Sequence, residues 1–248
     1  MGKNKLSIFS GFRISAVSLV VLGALALLVL PGILPPAFAA GGLTKTTSML
    51  TAGYALADPN AGSITQVQGS FVAPKVTCSS GETDAVVYAI SIVADGAALG
   101  FGCAAGTAAF IPAYTIAGVR SILPTSDTVS SGDSLHFTVT VSSTHKVTIK
   151  MSDSSKGWTF SKSGSDSSNS QRAAAWSLTR PGSTSQVPRF GTFKTSNNML
   201  TVSGTKGSLS SFQSTYPIVE SNMVNSHGST LVSTGALSGS GSSFTLTG

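Results

Sequence analysis

Proton chemistry needs a carboxyl group or an imidazole held where a substrate can reach it. This chain of 248 residues has nine Asp and Glu and three His. Its only glutamates are Glu82 and Glu220. Both stand in polar, turn-like contexts, which predicts solvated surface positions. Asp133 sits in Val129-Ser-Ser-Gly-Asp-Ser134, where a short carboxylate fixes its own turn. Asp95 stands just before Gly96, and a lone carboxylate without an oxyanion donor supplies little catalysis. The segment Gln171 to Pro181 reads Q-R-A-A-A-W-S-L-T-R-P, and no acid occurs from Gln171 to Arg189. Ala175 stands directly before Trp176, and an alanine cannot move a proton.

Other reaction templates are missing too. There is no G-x-S-x-G, no H-E-x-x-H, and no Gly-rich phosphate loop followed by a Lys and a helix. His136, His145 and His227 stand at no ligand spacing from a cysteine, so neither a metal nor a cofactor is expected. Cys78 and Cys103 are the only cysteines. An even pair in an exported chain predicts one disulfide, worth about 3 kcal/mol in the loop-entropy model. Two buried free thiols are the other reading. Trp158 and Trp176 read as core or cleft-lining residues rather than sugar platforms.

The elements that would position these residues are strands. Charged residues make up only 10% of the chain, and Gly, Ser and Thr are abundant. Ile64 to Val72 reads as a strand ending near Pro74, and Asp84 to Val93 as a strand buried on both faces. The clearest hairpin runs from Ser134 to Met151 and turns at Ser142 to His145. Asp153 to Gly157 makes the next turn, Trp158 starts another strand, and Ser161 to Ser170 reads as a flexible Ser-rich loop. Ala173–Leu178, Phe190–Thr195, Met199–Val202, Ser229–Ser233 and Ser243–Thr247 fit further strands. No helical period is sustained beyond the N-terminal leader. The expected fold is all-β, a two-sheet antiparallel β-sandwich.

Residues 1–39 read as a signal peptide. Lys3, Lys5 and Arg13 precede an apolar run, Ile14 to Leu30, and Pro35-Pro-Ala-Phe-Ala39 offers a cleavage site. The run is also long enough to serve as a retained N-terminal anchor. Residues 40–50 read as a polar extension and 51–248 as the domain. The leader holds three of the 15 basic residues and none of the nine acids, leaving twelve against nine. That net +3, with no basic run, gives nucleic-acid binding no support, and a membrane enters only through an uncleaved leader.

Several segments, in order, resemble the glutamic peptidase (eqolisin) family. Thr51-Ala-Gly-Tyr-Ala55 resembles W-A-G-Y-A, with Thr51 for the Trp. Gly69-Ser-Phe-Val-Ala-Pro-Lys-Val-Thr-Cys78 resembles G-x-W-x-V-P-x-V-x-C. Val129 to Ser134 resembles a V-x-x-G-D-x turn, Phe190-Gly-Thr-Phe193 an F-x-x-F strand, and Leu237 to Phe244 the closing turn and last strand. The resemblance spans about 51–248 and implies a sandwich of bent sheets whose concave face holds substrate. It also implies a Glu–Gln dyad, with the Glu in R-x-x-A-E-W and the Gln in L-x-Q-T-G after a V-G-I-D-G turn. Here Ala175 stands at the Glu and, with Asp95-Gly96 as the turn, Gly100 at the Gln. Arg172 and Trp176 are four apart where the family has five. Ile116 replaces a further cleft acid. Trp176, Tyr114, Phe101 and Asp95 are the expected groove-lining residues. The reading is a secreted or cell-surface, non-catalytic relative that binds an extended polypeptide or a surface component in its groove. An acid endopeptidase with a relocated dyad and a structural cell-surface or filament subunit are the alternatives.

Overall fold

Alternation decides the architecture. In Ser134–Val141, Leu135, Phe137, Val139 and Val141 are buried and the residues between them are not, the pattern of a strand with one face on a core. The computed structural model describes residues 41–183 and 185–248. The export leader expected over 1–39 lies outside them.

In chain order the strands are β1 (Gly42–Ser48), β2 (Thr51–Ala57), β3 (Ile64–Val72), β4 (Ala85–Ile92), β5 (Asp95–Ala104), β6 (Thr107–Ile116), β7 (Val119–Ile122) and β8 (Ser134–Val141). They continue as β9 (Lys146–Asp153), β10 (Trp158–Ser165), β11 (Ala173–Thr179), β12 (Thr192–Val202) and β13 (Thr205–Ser208). One helical turn, α1 (Leu209–Phe212), precedes β14 (Pro217–Val224), β15 (Thr230–Thr234) and β16 (Phe244–Thr247).

Hydrogen bonding runs in one open order, β10-β9-β8-β3-β12-β16-β15-β14-β2-β11-β4-β5-β6-β7. The order folds over at the β15–β16 pairing into two layers. The first sheet is β10-β9-β8-β3-β12-β16, and the second is β15-β14-β2-β11-β4-β5-β6-β7. Pairing is antiparallel except for β1, which lies parallel to β14. The chain is therefore the expected antiparallel β-sandwich.

Aromatic side chains from both sheets fill the space between. Phe71 of β3 meets Tyr88 of β4 at 4.9 Å between ring centroids, Tyr88 meets Phe193 of β12 at 4.7 Å, and Tyr54 of β2 meets Phe244 of β16 at 4.9 Å. Burying each such side chain contributes about 1.5–3 kcal/mol. Trp176 is fully buried and donates its indole N–H to the Gln68 carbonyl across the core at 2.9 Å. The sheets touch closely at Gly69, where a Cβ would sit 2.8 Å from Ile90 Cδ1 and 3.2 Å from Trp176 Nε1. Asn198 Oδ1 would be closer still, at 2.6 Å, so these side chains leave room there only for glycine.

Some sequence expectations change. Residues 42–48, read as part of a polar extension, form β1. Ser161–Ser165, read as loop, continues β10. Phe190–Thr195 and Met199–Val202 belong largely to one strand, β12, interrupted by a register shift between Ser196 and Met199. Asn197, between the two expected strands, takes a positive φ of 52° at this irregularity. The disulfide forms, with Cys78 and Cys103 bonded at 2.02 Å. Asp133 does fix its turn, accepting the Ser130 N–H at 2.6 Å.

Candidate functional site

The two faces of the second sheet are sorted by the period of its strands. On β11, Ala174, Trp176 and Leu178 join the core, so Ala173, Ala175, Ser177 and Thr179 project from the outer face. The same parity puts Val87, Ala89 and Ser91 of β4 on that outer face, with Gly96, Ala98 and Gly100 of β5 and Ile111, Ala113 and Thr115 of β6. Val87, Ala89 and Ala98 pack as a small buried cluster apart from the main core. Small side chains thus make a floor, and no carboxyl group projects from these positions.

Register fixes which floor residues stand abreast. Ala175 is paired with Ser91, and Ser91 with Gly96. Gly100 is paired with Val87, and Val87 with Thr179. Ala175 and Gly100 therefore share a face but not a row. Along β4 their rows are four residues apart, about 13 Å at strand rise. The residue across β4 from Gly100 is Thr179, whose other neighbour is Thr51 of β2. Neither row holds an acid, so the shift in partner does not restore a dyad.

The floor holds polar atoms that lack partners. Thr51 Oγ1, Ser177 Oγ and Thr179 Oγ1 are buried without a hydrogen bond among the described residues, as is Arg120 Nε. Arg120 projects from β7 opposite Thr115, and its Nη2 lies 4.0 Å from where a Cβ on Gly100 would be. Burial alone lowers its pKa from the ordinary arginine value, yet a guanidinium keeps its proton. Sequence reading passed over Arg120, and its position four strands from β11 carries no local signal. These groups can donate hydrogen bonds to an oxyanion or a backbone carbonyl. They cannot act as a general base.

The expected groove residues lie elsewhere. Trp176 and Phe101 belong to the main core, and Tyr114 packs against it, with Phe160 at 5.3 Å. All three alternate with outer-face residues, so they cannot line the same surface as Ala175 and Gly100. Asp95 is fully buried at the start of β5. It accepts hydrogen bonds from Asn169 Nδ2 at 2.6 Å and the Ala117 N–H at 2.8 Å. Burial raises its pKa above the ordinary aspartate value, against those hydrogen bonds. Ile116 lies against Gly164 and the core rather than in a cleft. Glu220, expected on the surface, is buried on the inner side: Oε2 accepts Tyr54 Oη–H at 2.8 Å, and Oε1 meets Lys45 Nζ at 3.1 Å. The β1 strand delivers that lysine and accounts for the burial. Glu82, partly exposed, approaches Arg189 at 3.7 Å. Glu82, Asp84 and Cys103 come within 4.8 Å of one another, but the Cys103 sulfur is already bonded.

A concavity of about 640 Å³ lies on the outer face of the first sheet. There Ser70 Oγ meets His136 Nδ1 at 2.9 Å, and His136 Nε2 meets Thr138 Oγ1 at 3.2 Å. Burial and then the Lys206 charge lower the His136 pKa. No carboxylate orients this imidazole, so it lacks the third group of a serine triad.

Comparison with known proteins converges on one fold. A family model described as the Peptidase A4 family matches residues 50–241. A crystal structure of Scytalido-glutamic peptidase with a peptide-based transition-state analogue superposes with a TM-score of 0.61 at 15% identity, covering 80% of this chain and 97% of that one. SCP-B, an eqolisin in complex with the tripeptide Ala-Ile-His, gives 0.57 at 16%, covering 80% and 98%. Aspergilloglutamic peptidase from Aspergillus niger gives 0.52 at 18%, covering 66% and 99%. No curated protein matches by sequence.

Proposed function

The chain belongs to the Peptidase A4 family, and from that premise we propose that it is a non-catalytic member whose outer sheet face holds an extended polypeptide without cutting it. One observation carries the reading. The outer positions of β11, β4, β5 and β6 hold Ala, Gly, Ser, Thr, Val and Ile, and none of the chain's acids. Without a carboxyl group, water has no general base and the leaving amine no acid. What remains are hydroxyl groups, a guanidinium and a floor of small side chains, which suit an extended backbone lying over the sheet. A relative of this fold, SCP-B, holds a tripeptide.

Export also belongs to this reading. A disulfide persists in oxidising compartments, and the Cys78–Cys103 bond supports a secreted or cell-surface protein. The acid-endopeptidase alternative needs a carboxyl group on the outer face. The test is direct: the purified chain is incubated with an unfolded polypeptide at about pH 3, where a carboxyl acid–base pair would work, with pepstatin present. Intact polypeptide is expected. New fragments, lost when the protein is boiled first, would overturn the proposal.

A further inference from the structure

The outer face of the second sheet carries a cation with no counterion. The ion pairs among the described residues join Lys45 to Glu220, Lys156 to Asp133 and Arg189 to Glu82. Arg120 takes part in none of them. Its buried Nε has no acceptor, and its guanidinium lies back over the floor toward Gly100. An unpaired buried donor is destabilising, and more so when charged. Neighbouring strands do not relieve it, since their outer positions carry no acid. The buried Nε is closed to an outside group, but the terminal nitrogens of this partly exposed guanidinium are open, and their fitting partner is an anion from outside the chain.

The neighbours indicate which anion. Ile111 is paired with Gly100, and its Cβ lies 3.9 Å from the same point that Arg120 Nη2 approaches at 4.0 Å. Ile122 stands two residues from Arg120, on the same face of β7. These isoleucines are 41% and 50% exposed, unlike the buried alanines beside them. One guanidinium balances one negative charge, and its fork fits a carboxylate through two parallel hydrogen bonds. The isoleucines call for an apolar group next to that charge. A chain terminus combines both.

Resting on the polypeptide-binding reading above, we propose that Arg120 captures the free α-carboxylate of an extended polypeptide ending in an apolar residue, with Ile111 and Ile122 holding the terminal side chain. Gly100 is part of the seat. A Cβ there makes only ordinary contacts, the nearest at 3.6 Å, but a longer side chain runs into the guanidinium. The absence of a side chain at residue 100 and the placement of Arg120 are thus one feature.

The test uses the full chain and two N-terminally labelled peptides, Ala-Ala-Ala-Ile with a free carboxylate and the same peptide as its C-terminal amide. Fluorescence anisotropy reads binding. The acid is expected to bind at least about tenfold more tightly than the amide, the scale of a charge-assisted pair. Arg120→Met removes that preference by weakening the acid alone. Gly100→Gln keeps the arginine, displaces it, and also reduces the preference, so the proposal stays testable if one variant fails to fold. Equal affinity of the wild type for acid and amide would overturn the carboxylate site while leaving polypeptide binding intact. A preference that survives in folded Arg120→Met would overturn it as well. Failure of both peptides to bind would sink this proposal together with the binding reading.

Discussion

The inner and outer faces of the second sheet are built from the same strands and follow opposite rules. Inward, Trp176, Tyr54, Tyr88 and Phe101 are among the largest fully buried side chains of the molecule. Outward, their immediate neighbours are Ala175, Gly53, Ala89 and Gly100. The inner residues lock the sheets together through aromatic contacts and the indole hydrogen bond. The outer ones carry little packing energy and leave hydroxyl groups unpaired. A sandwich can therefore keep its fold while the chemistry of its outer face changes, because period two separates the two tasks residue by residue.

The sharpest way to break this contrast is substitution of adjacent residues. Trp176→Ala is expected to cost about 3–5 kcal/mol, the range for aromatic truncation in a core. Ala175→Ser, one residue away, should stay within about 0.5 kcal/mol. Denaturant unfolding of both variants checks this, and comparable losses would remove the distinction between faces.

Asp95 tests the boundary between them. Burial raises its folded pKa, so the folded chain binds that proton more tightly than the unfolded chain does. Its charge then lowers stability above the ordinary aspartate pKa, and the loss fades as pH falls through the raised folded value. Wild type should therefore gain stability relative to Asp95→Asn on acidification from neutral pH. Thermal melts across pH read the trend; no slope would place Asp95 in a solvated site, and the opposite slope would mean that the Asn169 and Ala117 hydrogen bonds outweigh burial.

A small effect of opposite sign is expected at Thr179. Its buried hydroxyl has no partner, so Thr179→Val removes an unsatisfied polar group at little change in shape. The variant should be neutral or more stable by up to about 1 kcal/mol. A clear loss in the same unfolding assay would mean that the hydroxyl is paired in solution.

Strands with clean alternation were legible in the sequence. Ile64–Val72 matches β3, and Ser134–Val141 opens the hairpin where expected. Less was legible where partners decide. Gly42–Ser48 is polar and becomes a strand only because β14 accepts it along its length. Glu220 looked solvated because nothing local announces Tyr54 and Lys45. At the candidate site, period two already forbids Ala175 and Trp176 from lining one surface. It does not say which of them faces the second layer, since that depends on the aromatic residues opposite. The row that joins Gly100 to Thr179 is a property of hydrogen-bond register across β4, and residue spacing along the chain cannot supply it.

The central claim is that this face holds a polypeptide and leaves it whole. Its most direct test is mass spectrometry of a peptide library incubated with the purified chain at acid and at neutral pH, with the bound fraction separated from the free. The account predicts peptides retained on the protein at their original masses under both conditions. Truncated products that increase with time and with protein concentration would contradict it.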